Sequence, residues 1–380
     1  MDFSFSEEQT LLQDTIARYI QNEYSFETRQ KIVLEEIGYS HEVWKTYAEL
    51  GWLGVPFSEE DGGFGGTAIE GMIMLEQFGK GLVVEPFLAT VVLAGGALKI
   101  GGSKTQKDKY LSGVIDGSLQ GALAYAEPQG RFNLADLTTK AEKDGDGYII
   151  NGYKAVVLNG PTADFLVLST RTSGAQRDKQ GVTLFVVDGN AEGISRRDYP
   201  TVDAMRASEI TFENVKVSHD ALLIGENGEE GEGLAIIEQV IDEGILAIGA
   251  EAVGCMEVLY KATVEYCKTR EQFGQPIGKF QVLQHRMVDM FMEHEQAKSL
   301  MYMAAMRMDE GYGNDAKKAV SAFKVQVGKS GRFVGQNAVQ LHGGMGMTEE
   351  LSVGHYFKRL TMINTLFGNV DFHLKRFGEL

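Results

Sequence analysis

The spacing of hydrophobic residues changes twice along the chain, and this constrains the fold more than any single motif. Residues 1–120 have apolar side chains at helical spacing, residues 121–228 contain short runs rich in β-branched and aromatic residues, and residues 229–380 return to helical spacing. We therefore predict an N-terminal α-helical domain, a middle β domain and a C-terminal helical bundle with these boundaries. The predicted fold class is α+β.

The helical parts carry recognisable start signals. Ser6 and Gln9 have the spacing of a capping box, in which each side chain accepts a hydrogen bond from the other residue's backbone N–H. Ser40 is predicted to cap a second helix. In the C-terminal part, four long helical patterns cover residues 232–269, 281–311, 314–341 and 353–380, and this is typical of an up-down bundle.

The middle part has strand signals without helices between them. Asn151-Gly152 lies between two β-rich runs, which predicts a tight hairpin turn. Further strands are expected over residues 165–170, 182–187 and 209–217. Because no helical pattern of about 10–15 residues separates these runs, an antiparallel β domain is favoured over alternating strands and helices. No Gly-x-Gly-x-x-Gly follows a strand, which argues against that dinucleotide site.

The charge balance limits the partners. The chain has 36 Lys and Arg against 53 Asp and Glu, a net charge of −17. We therefore expect neither a nucleic acid nor an anionic membrane surface as a partner, and an anionic substrate would need local basic residues. No segment approaches the about 20 apolar residues of a membrane-spanning helix, and the N-terminus lacks the basic and apolar regions of a signal peptide. A cytoplasmic location is expected.

Two cysteines, Cys255 and Cys267, lie within one predicted helix. Their separation along that helix is about 18 Å, too far for a disulfide. Both are predicted to be core residues. No residues are assigned as metal ligands.

Two segments near the C-terminal end combine glycine turns with polar side chains. One runs from Arg270 to His285 and the other from Gln340 to Glu350. Arginine suits bidentate phosphate contacts, and glycines let backbone N–H groups approach a ligand closely. The alternative is structural: a cation at the C-terminus of a helix and a glycine that ends another helix.

These two segments resemble the flavin-binding half of the acyl-CoA dehydrogenase family. Tyr125-Ala-Glu-Pro128, Gly145–Lys154 and Leu158-Asn-Gly160 extend the resemblance, which covers nearly the whole chain. Asp242-Glu-Gly244 and the ending His355–Ile363 are most similar to the pimeloyl-CoA dehydrogenase small-subunit type.

The resemblance implies an activity and partners. The reaction would be FAD-dependent α,β-desaturation of an acyl-CoA thioester, as in β-oxidation of fatty, steroid or dicarboxylic acids. A carboxylate would remove the α proton, flavin N5 would take the β hydride, and electrons would pass to an electron-transfer flavoprotein. The assembly would be a homotetramer, or a heterotetramer with a second acyl-CoA dehydrogenase subunit. A dicarboxylyl, ring-bearing or otherwise bulky acyl group is expected.

The resemblance also implies the residues that bind FAD. Those near the phosphates and adenine are Arg270, Gln272, Phe273, Gln281, Gln340, Gly343 and Gly344. Those near the flavin are Tyr125, Ala126, Leu158 and Gly368. Taken alone, Phe273 would be a core residue. Ala126 and Leu158 stand where the family usually has threonine, so two side-chain hydroxyls are absent and backbone N–H groups remain for the flavin.

The catalytic base is less clearly marked. Many family members carry a Glu in a Tyr-Glu-Gly-Thr stretch, but here the stretch reads Leu366-Phe-Gly-Asn369, and Phe367 cannot accept a proton. Other members place the base on the long helix. Counting back from Arg270 leads to Gly244, and its neighbour Glu243 is the candidate base, with a surface or structural role as the alternative.

The helix around Glu243 has a face of small residues that includes Ala247, Ala250 and Gly254. Such a face leaves room for a ligand, and Ala247 is a candidate substrate contact. It also permits close helix packing. Glu251, about 80° further round the helix, is a weaker candidate for the base.

Arg206 lies where the family's strands run beside the substrate. It is a candidate contact for a CoA phosphate or a distal carboxylate, or else a solvated surface arginine. Three functions stay open: an active dehydrogenase, a non-catalytic or half-site subunit that completes a partner's FAD and substrate site, and a flavin-free acyl-CoA-binding or assembly protein.

Overall fold

The computed structural model describes residues 5–225 and 228–380. It divides into two compact units. One, the helical unit, contains the described residues up to Lys31, together with Thr67–Val83 and Ile245–Leu380. The other, the β unit, contains Ile32–Gly66 and Val84–Gly244. The predicted order of helical, β and helical regions is confirmed along the chain.

The N-terminal region is built from short helices. They are α1 Glu7–Glu23, α2 Phe26–Val33, α3 His41–Glu49, α4 Ala68–Gly81, α5 Gly96–Gly101, α6 Lys104–Gln106 and α7 Ser112–Ile115. Two π-helical segments, Leu88–Gly95 and Lys107–Leu111, lie among them. The predicted starts are confirmed, because Gln9 N donates to Ser6 Oγ, Ser6 N donates to Gln9 Oε1, and Val43 N donates to Ser40 Oγ.

The middle region forms a twisted sheet. Its strands are β1 Gly121–Ala124, β2 Lys140–Asp144, β3 Gly147–Leu158, β4 Phe165–Arg171, β5 Val182–Asp188, β6 Ile194–Pro200, β7 Arg206–Ser218 and β8 Leu222–Leu223. They pair in the order β6-β7-β3-β2-β4-β5-β8, with β1 beside β4. Apolar side chains from these strands form a buried core that includes Ile150, Leu166, Phe185 and Ile210.

The sheet predicted to be antiparallel is mixed, because β1 and β2 each pair with β4 in parallel, β2 through Lys140 opposite Arg171. β1 runs parallel to β4 along its whole length, from Gly121 opposite Phe165 to Ala124 opposite Leu168. A parallel neighbour needs a long connection rather than a tight turn, and here the connection contains β2 and β3. Four residues are too few for a sequence pattern to reveal this strand direction.

The predicted Asn151-Gly152 hairpin is also wrong. β3 continues through these residues, and the turn that joins β2 to β3 lies at Gly145–Asp146, where Gly145 has φ 59°. Asn151 and Gly152 instead form an irregularity in the pairing of β3 with β7. Gly152 allows the chain to pass Thr139 closely, because a Cβ at this position would lie 2.4 Å from Thr139 Oγ1.

The C-terminal region is helical apart from one small hairpin. Its helices are α8 Gly233–Thr269, α9 Gln281–Asp309, α10 Asn314–His342, α11 Ser352–Thr365 and α12 Val370–Glu379, and the hairpin strands are β9 Glu271–Gln272 and β10 Gln275–Pro276. Both cysteines are free and buried, as predicted. None of the described helices has the length and apolarity required to span a bilayer.

The last helical pattern is two helices rather than one. Phe367 and Gly368 have φ values of 58° and 113°, which a helix cannot accommodate. Asn369 then caps α12, because its side-chain oxygen accepts a hydrogen bond from Phe372 N at 3.0 Å. The break lies in the stretch where the resemblance would place the commoner catalytic base.

Candidate functional site

The Arg270 segment forms an exposed β-hairpin with a two-residue loop directly after α8. Phe273 and Gly274 at its tip have φ values of 56° and 78°, the combination of a type I′ turn. Phe273 is 91% exposed, so the expectation that it would be a core residue is wrong. A bulky side chain at positive φ is uncommon. The hairpin therefore presents an aromatic ring to solvent from a backbone conformation that favours glycine or asparagine.

The second glycine segment begins where α10 ends. Gly343 has φ 60°, so a glycine is favoured there for the turn. A Cβ at Gly343 or Gly344 would meet no other atom within 4 Å. Gln340, one turn before the end of α10, is exposed. The packing of the single chain therefore does not require a glycine at position 344, and the backbone there is open to a ligand.

Tyr266 and His342 bring these two segments to one end of the helical unit. Their rings stack with centroids 4.3 Å apart, and the Tyr266 hydroxyl donates to the His342 carbonyl at 3.4 Å. Arg270 N donates to the Tyr266 carbonyl at 2.8 Å. His342 itself has a structural role, because its Nδ1–H donates to the Ala338 carbonyl at 2.8 Å, and burial lowers its pKa.

Gln281 adds a third element at the same hairpin. It is the first residue of α9, its side chain is exposed, and Phe280 before it provides no side-chain cap. The first N–H groups of a helix favour a nearby anion. Arg270, Gln272 and Gln281 thus flank one short hairpin, and all three side chains are exposed. This donor set suits a phosphate or pyrophosphate.

In the β unit, Tyr125 and Ala126 follow β1 directly, and Leu158 is the last residue of β3. Backbone hydrogen bonds connect the two segments, because Ala155 N donates to the Ala126 carbonyl at 2.9 Å. Tyr125, Ala126 and Leu158 are each half-buried. The candidate flavin contacts of this unit therefore belong to adjoining stretches of backbone.

A buried ion pair lies behind these stretches. Lys154 Nζ is 2.7 Å from Glu127 Oε1, and both side chains are inaccessible to solvent. Burial alone would raise the pKa of the Glu127 carboxyl, but the Lys154 ammonium and hydrogen bonds from Thr138 lower it to about 2. Burial lowers the pKa of Lys154 to about 8, against the opposing effect of Glu127.

The candidate base Glu243 is half-buried and already paired. Its Oε2 atom is 3.0 Å from Lys99 Nζ, and its Oε1 atom accepts a hydrogen bond from Gln239 Nε2 at 3.3 Å. A Cβ on Gly96 would lie 3.5 Å from Glu243 Oε2. Its side chain is 20% exposed. Both carboxylate oxygens of Glu243 therefore already have a hydrogen-bond partner within the chain.

Further along α8, the small residues serve close packing. A Cβ on Gly254 would lie 2.0 Å from the Glu76 carbonyl of α4, and a Cβ on Gly79 would lie 2.0 Å from the Glu251 carbonyl. Ala247 and Ala250 are buried. Close approach of α4 and α8 therefore explains Gly254.

Glu251 is engaged in a second buried ion pair. The Arg359 guanidinium donates to it through Nε at 2.5 Å and Nη2 at 2.6 Å. Both side chains are almost completely buried. This bidentate geometry occupies both carboxylate oxygens and favours a structural role for Glu251.

The turn between α11 and α12 is held by a buried lysine. Lys324 Nζ donates to the carbonyls of Ile363, Asn364 and Gly368 at 2.7, 3.1 and 2.9 Å. Burial lowers the pKa of Lys324 to about 7. Phe367 is buried within the turn, and its carbonyl accepts a hydrogen bond from His373 Nε2 at 3.0 Å.

Arg206 is bound to backbone carbonyls near the end of α2. Its guanidinium donates to Val33, Glu35 and Glu36 at 3.1, 2.8 and 3.2 Å. Gly38 makes room for it, because a Cβ there would lie 2.7 Å from the arginine side chain. This arrangement favours a structural role over contact with a substrate phosphate.

Sequence reasoning missed three buried or half-buried lysines: Lys99, Lys154 and Lys324. Lys324 carried a usable signal, because it lies on the α10 face that also carries Val320 and Val327, and a lysine among apolar positions needs a buried partner. Lys99 and Lys154 acquire their partners only through tertiary contacts with Glu243 and Glu127.

Comparison with known proteins identifies the family to which each region of the chain is similar. The N-terminal, middle and C-terminal domain models of acyl-CoA dehydrogenase match residues 6–118, 122–215 and 231–379. The mitochondrial isovaleryl-CoA dehydrogenase of Pongo abelii is 30% identical over 359 residues, covering 93% of this chain and 84% of that protein. The short-chain-specific acyl-CoA dehydrogenase of Clostridium acetobutylicum is 30% identical over 365 residues, covering 93% and 92%.

Solved structures share the architecture over the full chain. Butyryl-CoA dehydrogenase from Megasphaera elsdenii has a TM-score of 0.91 at 26% identity, covering 100% of this chain and 99% of that one. An FAD complex of PigA has a TM-score of 0.91 at 27% identity, covering 100% and 98%. A structure described as the electron transferring flavoprotein of Acidaminococcus fermentans has a TM-score of 0.91 at 28% identity, covering 100% and 99%. With its N-terminal helical, middle β and C-terminal helical domains, this chain belongs to the acyl-CoA dehydrogenase family, whose members are oxidoreductases.

Proposed function

We propose that this protein is an FAD-dependent dehydrogenase that desaturates an acyl-CoA thioester between its α and β carbons. The observation that supports the proposal is the stacking of Tyr266, four residues before Arg270, on His342, the residue directly before Gly343. An arginine, exposed amides and unobstructed backbone N–H groups together form a site that fits the pyrophosphate of a dinucleotide.

The FAD contacts are proposed separately for each unit. Arg270, Gln272 and Gln281 would hold phosphate, and Phe273 would pack on the adenine side. Gln340, Gly343 and Gly344 would complete this end of the cofactor. The backbone at Tyr125, Ala126, Leu158 and Gly368 would contact the flavin. An exposed Phe273 ring at positive φ supports this assignment, because such strain persists where a ligand or partner makes use of it.

Glu243 is the proposed base, and its role is to take the α proton of the thioester onto a carboxylate oxygen. FAD, when bound, supplies the acceptor for the β hydride. Lys99 Nζ lies 3.0 Å from the Glu243 carboxylate. When Glu243 receives the proton, its carboxyl group must therefore either leave Lys99 or keep the contact through its unprotonated oxygen. Ala247, one turn along α8, is the proposed substrate contact because its small side chain leaves space for an acyl chain.

The electron acceptor is proposed to be an electron-transfer flavoprotein, in line with the family and with the description of one structural neighbour. We propose a soluble cytoplasmic enzyme of the pimeloyl-CoA dehydrogenase small-subunit type that acts on a dicarboxylyl, ring-bearing or otherwise bulky acyl-CoA. Asp242-Glu-Gly244 and the His355–Ile363 ending support this finer assignment.

An oligomer is proposed because α9 carries apolar side chains on its solvent-facing side. Val282, Val288, Phe291, Met292 and Met303 are all exposed in the single chain. Exposed apolar patches of this kind mark protein–protein contacts. The partner is either a second copy, giving a homotetramer, or a related acyl-CoA dehydrogenase subunit.

A half-site subunit is the second candidate function. Phe367 occupies the position of the commoner base and is buried, and Glu243 is already paired with Lys99. Ala126 and Leu158 lack the two hydroxyls near the flavin. In this alternative the chain completes the FAD and substrate site of a partner that carries its own base.

The test is the FAD content of the purified chain and of two variants. Arg270→Met should lower the affinity for FAD by about tenfold or more, because a charge-assisted contact to phosphate is lost. Lys268→Met is the matched control, since Lys268 is an exposed cation two residues away that pairs with Glu265. A wild-type protein that binds no FAD, or equal FAD affinity in Arg270→Met and wild type, would contradict the proposal.

A further inference from the structure

The buried cation of the β unit contacts the segment to which we assign flavin binding. Lys154 Nζ donates to Glu127 Oε1 at 2.7 Å, to Ser169 Oγ at 3.1 Å and to the Tyr125 carbonyl at 3.3 Å. All three ammonium protons therefore have acceptors, and the third acceptor belongs to the peptide group that joins Tyr125 to Ala126.

Glu127 anchors the other side of the same segment. Its carboxylate accepts hydrogen bonds from Thr138 N at 2.7 Å, Thr138 Oγ1 at 2.5 Å, Thr139 N at 3.1 Å and Gln129 Nε2 at 2.8 Å. These donors belong to the chain that leads from Gln129 into β2. Glu127 is therefore fixed even before its ion pair is considered, and it in turn fixes Lys154.

The strand that carries Lys154 is bent at this point. The pairing of β3 with β7 is irregular between Lys154 and Val157, and Val156 has φ 51°. Within this bulge, Ala155 N donates to the Ala126 carbonyl at 2.9 Å. The carbonyls of Tyr125 and Ala126 are thus held by consecutive residues of β3, which restrains the peptide plane on each side of Ala126.

This restraint has a consequence because Ala126 has no hydroxyl. A side-chain donor can reach a ligand through several rotamers, but a backbone N–H points only where its peptide plane points. Among the described residues, the N–H of Ala126 has no hydrogen-bond acceptor. It lies in the same peptide plane as the Tyr125 carbonyl, whose direction Lys154 restrains.

We propose that Lys154, fixed by Glu127, is a positioning residue that orients the Tyr125–Ala126 peptide for backbone contact with the flavin. This inference rests on the proposed function. It assigns to a buried ion pair a task that the resemblance would give to a threonine hydroxyl at position 126. Lys154 does not touch the cofactor; it acts through the Tyr125 carbonyl.

The test compares FAD binding to the apoprotein of wild type, Lys154→Met and Lys143→Met. Lys143 is the control because it forms an exposed ion pair with Glu230 at 2.9 Å in the same sheet. We expect Lys154→Met to raise the Kd for FAD by about tenfold, and to shift the visible flavin band of the complex, while Lys143→Met changes neither. Circular dichroism and denaturant unfolding of each apoprotein show that the compared proteins are folded.

Ser169→Ala gives a milder perturbation if Lys154→Met does not fold. It removes one acceptor of Lys154 without burying a new charge, and we expect a Kd raised by about threefold with an unchanged fold. A merely structural role would lower the free energy of unfolding but leave the Kd and the flavin band of the folded variants unchanged, and this result overturns the inference alone. A wild-type apoprotein that binds no FAD overturns the inference and the proposed function together.

Discussion

Lys99 Nζ lies 3.0 Å from Glu243 Oε2, so the candidate base of this protein is held by a cation. Both side chains are partly accessible to solvent. The pair fixes the direction of the carboxylate on α8, and it links the catalytic proposal to a residue 144 positions earlier in the chain.

Glu243→Gln tests this role directly. The amide cannot accept the α proton, so we expect the rate of flavin reduction by an acyl-CoA to fall by about 10²–10⁴-fold, with FAD binding unchanged. Glu265→Gln, on the exposed surface of the same helix, should retain the wild-type rate. Stopped-flow absorbance measures both. An unchanged rate in Glu243→Gln would remove the assignment and favour the half-site alternative.

Phe273→Asn tests whether the Phe273 ring contributes to FAD binding, because it removes the ring and keeps the conformation of the turn. Asparagine tolerates positive φ and Asn-Gly is a favoured type I′ pair, so the hairpin should remain folded. Loss of the ring should raise the Kd for FAD by about tenfold, while the free energy of unfolding of the apoprotein stays equal or rises. Fluorescence titration with FAD measures the affinity. Wild-type affinity in this variant would show that the ring does not contribute to the cofactor site.

Arg359→Met should destabilise the helical unit. It leaves the Glu251 carboxylate buried without its bidentate partner, at an expected cost of about 3–5 kcal/mol in the free energy of unfolding. Lys45→Met, which breaks the exposed Lys45–Glu49 pair, should change it by less than about 1 kcal/mol. Denaturant unfolding provides both values. Equal stability of the two variants would contradict a buried ion pair at Glu251.

The burial of His373 predicts that the protein loses stability in mild acid. Burial lowers its pKa to about 4, whereas the unfolded side chain titrates near 6.5. Between these values the unfolded chain binds a proton that the folded chain excludes, so the free energy of unfolding falls as pH falls from 6.5 to 4. His373→Gln keeps a neutral donor for the Phe367 carbonyl. Between pH 6.5 and 4, its free energy of unfolding should fall by on the order of 2 kcal/mol less than that of the wild type. Parallel slopes for the two proteins would contradict the assignment.

Val288→Glu tests the apolar face of α9. Val288 is 55% exposed, and Met292 lies one turn further along the same face. A charge there should dissociate the assembly to smaller species, because it would be buried without a partner at a contact between subunits. Light scattering after size exclusion measures the mass. Leu34→Glu, at another exposed apolar position, is the control, and an unchanged mass for Val288→Glu would exclude this face as the contact.

Local signals predicted the helical starts well. The Ser6–Gln9 capping box and the Ser40 cap depend on residues three apart, and both are present in the structure. The strands at residues 165–170, 182–187 and 209–217 were equally accessible, because β-branched runs report local preference. The Asn151-Gly152 turn failed because pairing with β7 outweighed the local signal and kept β3 extended.

Features that depend on distant partners could not be predicted. The parallel placement of β1 arises from pairing with β4, more than forty residues away. The exposure of Phe273 follows from hairpin geometry that a single apolar residue does not signal. The partners of Glu243, Glu251 and Arg206 are likewise set by tertiary contacts. The partner of Glu243 is a lysine and those of Arg206 are backbone carbonyls, and neither kind of group has a sequence motif of its own.

The most direct test of the account is an anaerobic titration of the chain, purified alone, with a panel of acyl-CoA thioesters while the visible flavin band is recorded. We predict a yellow protein with stoichiometric FAD that is bleached by at least one bulky or dicarboxylyl acyl-CoA, and a Glu243→Gln variant that holds FAD but is not bleached by the same compound. A colourless wild-type protein, or a Glu243→Gln variant bleached at the wild-type rate, would contradict it.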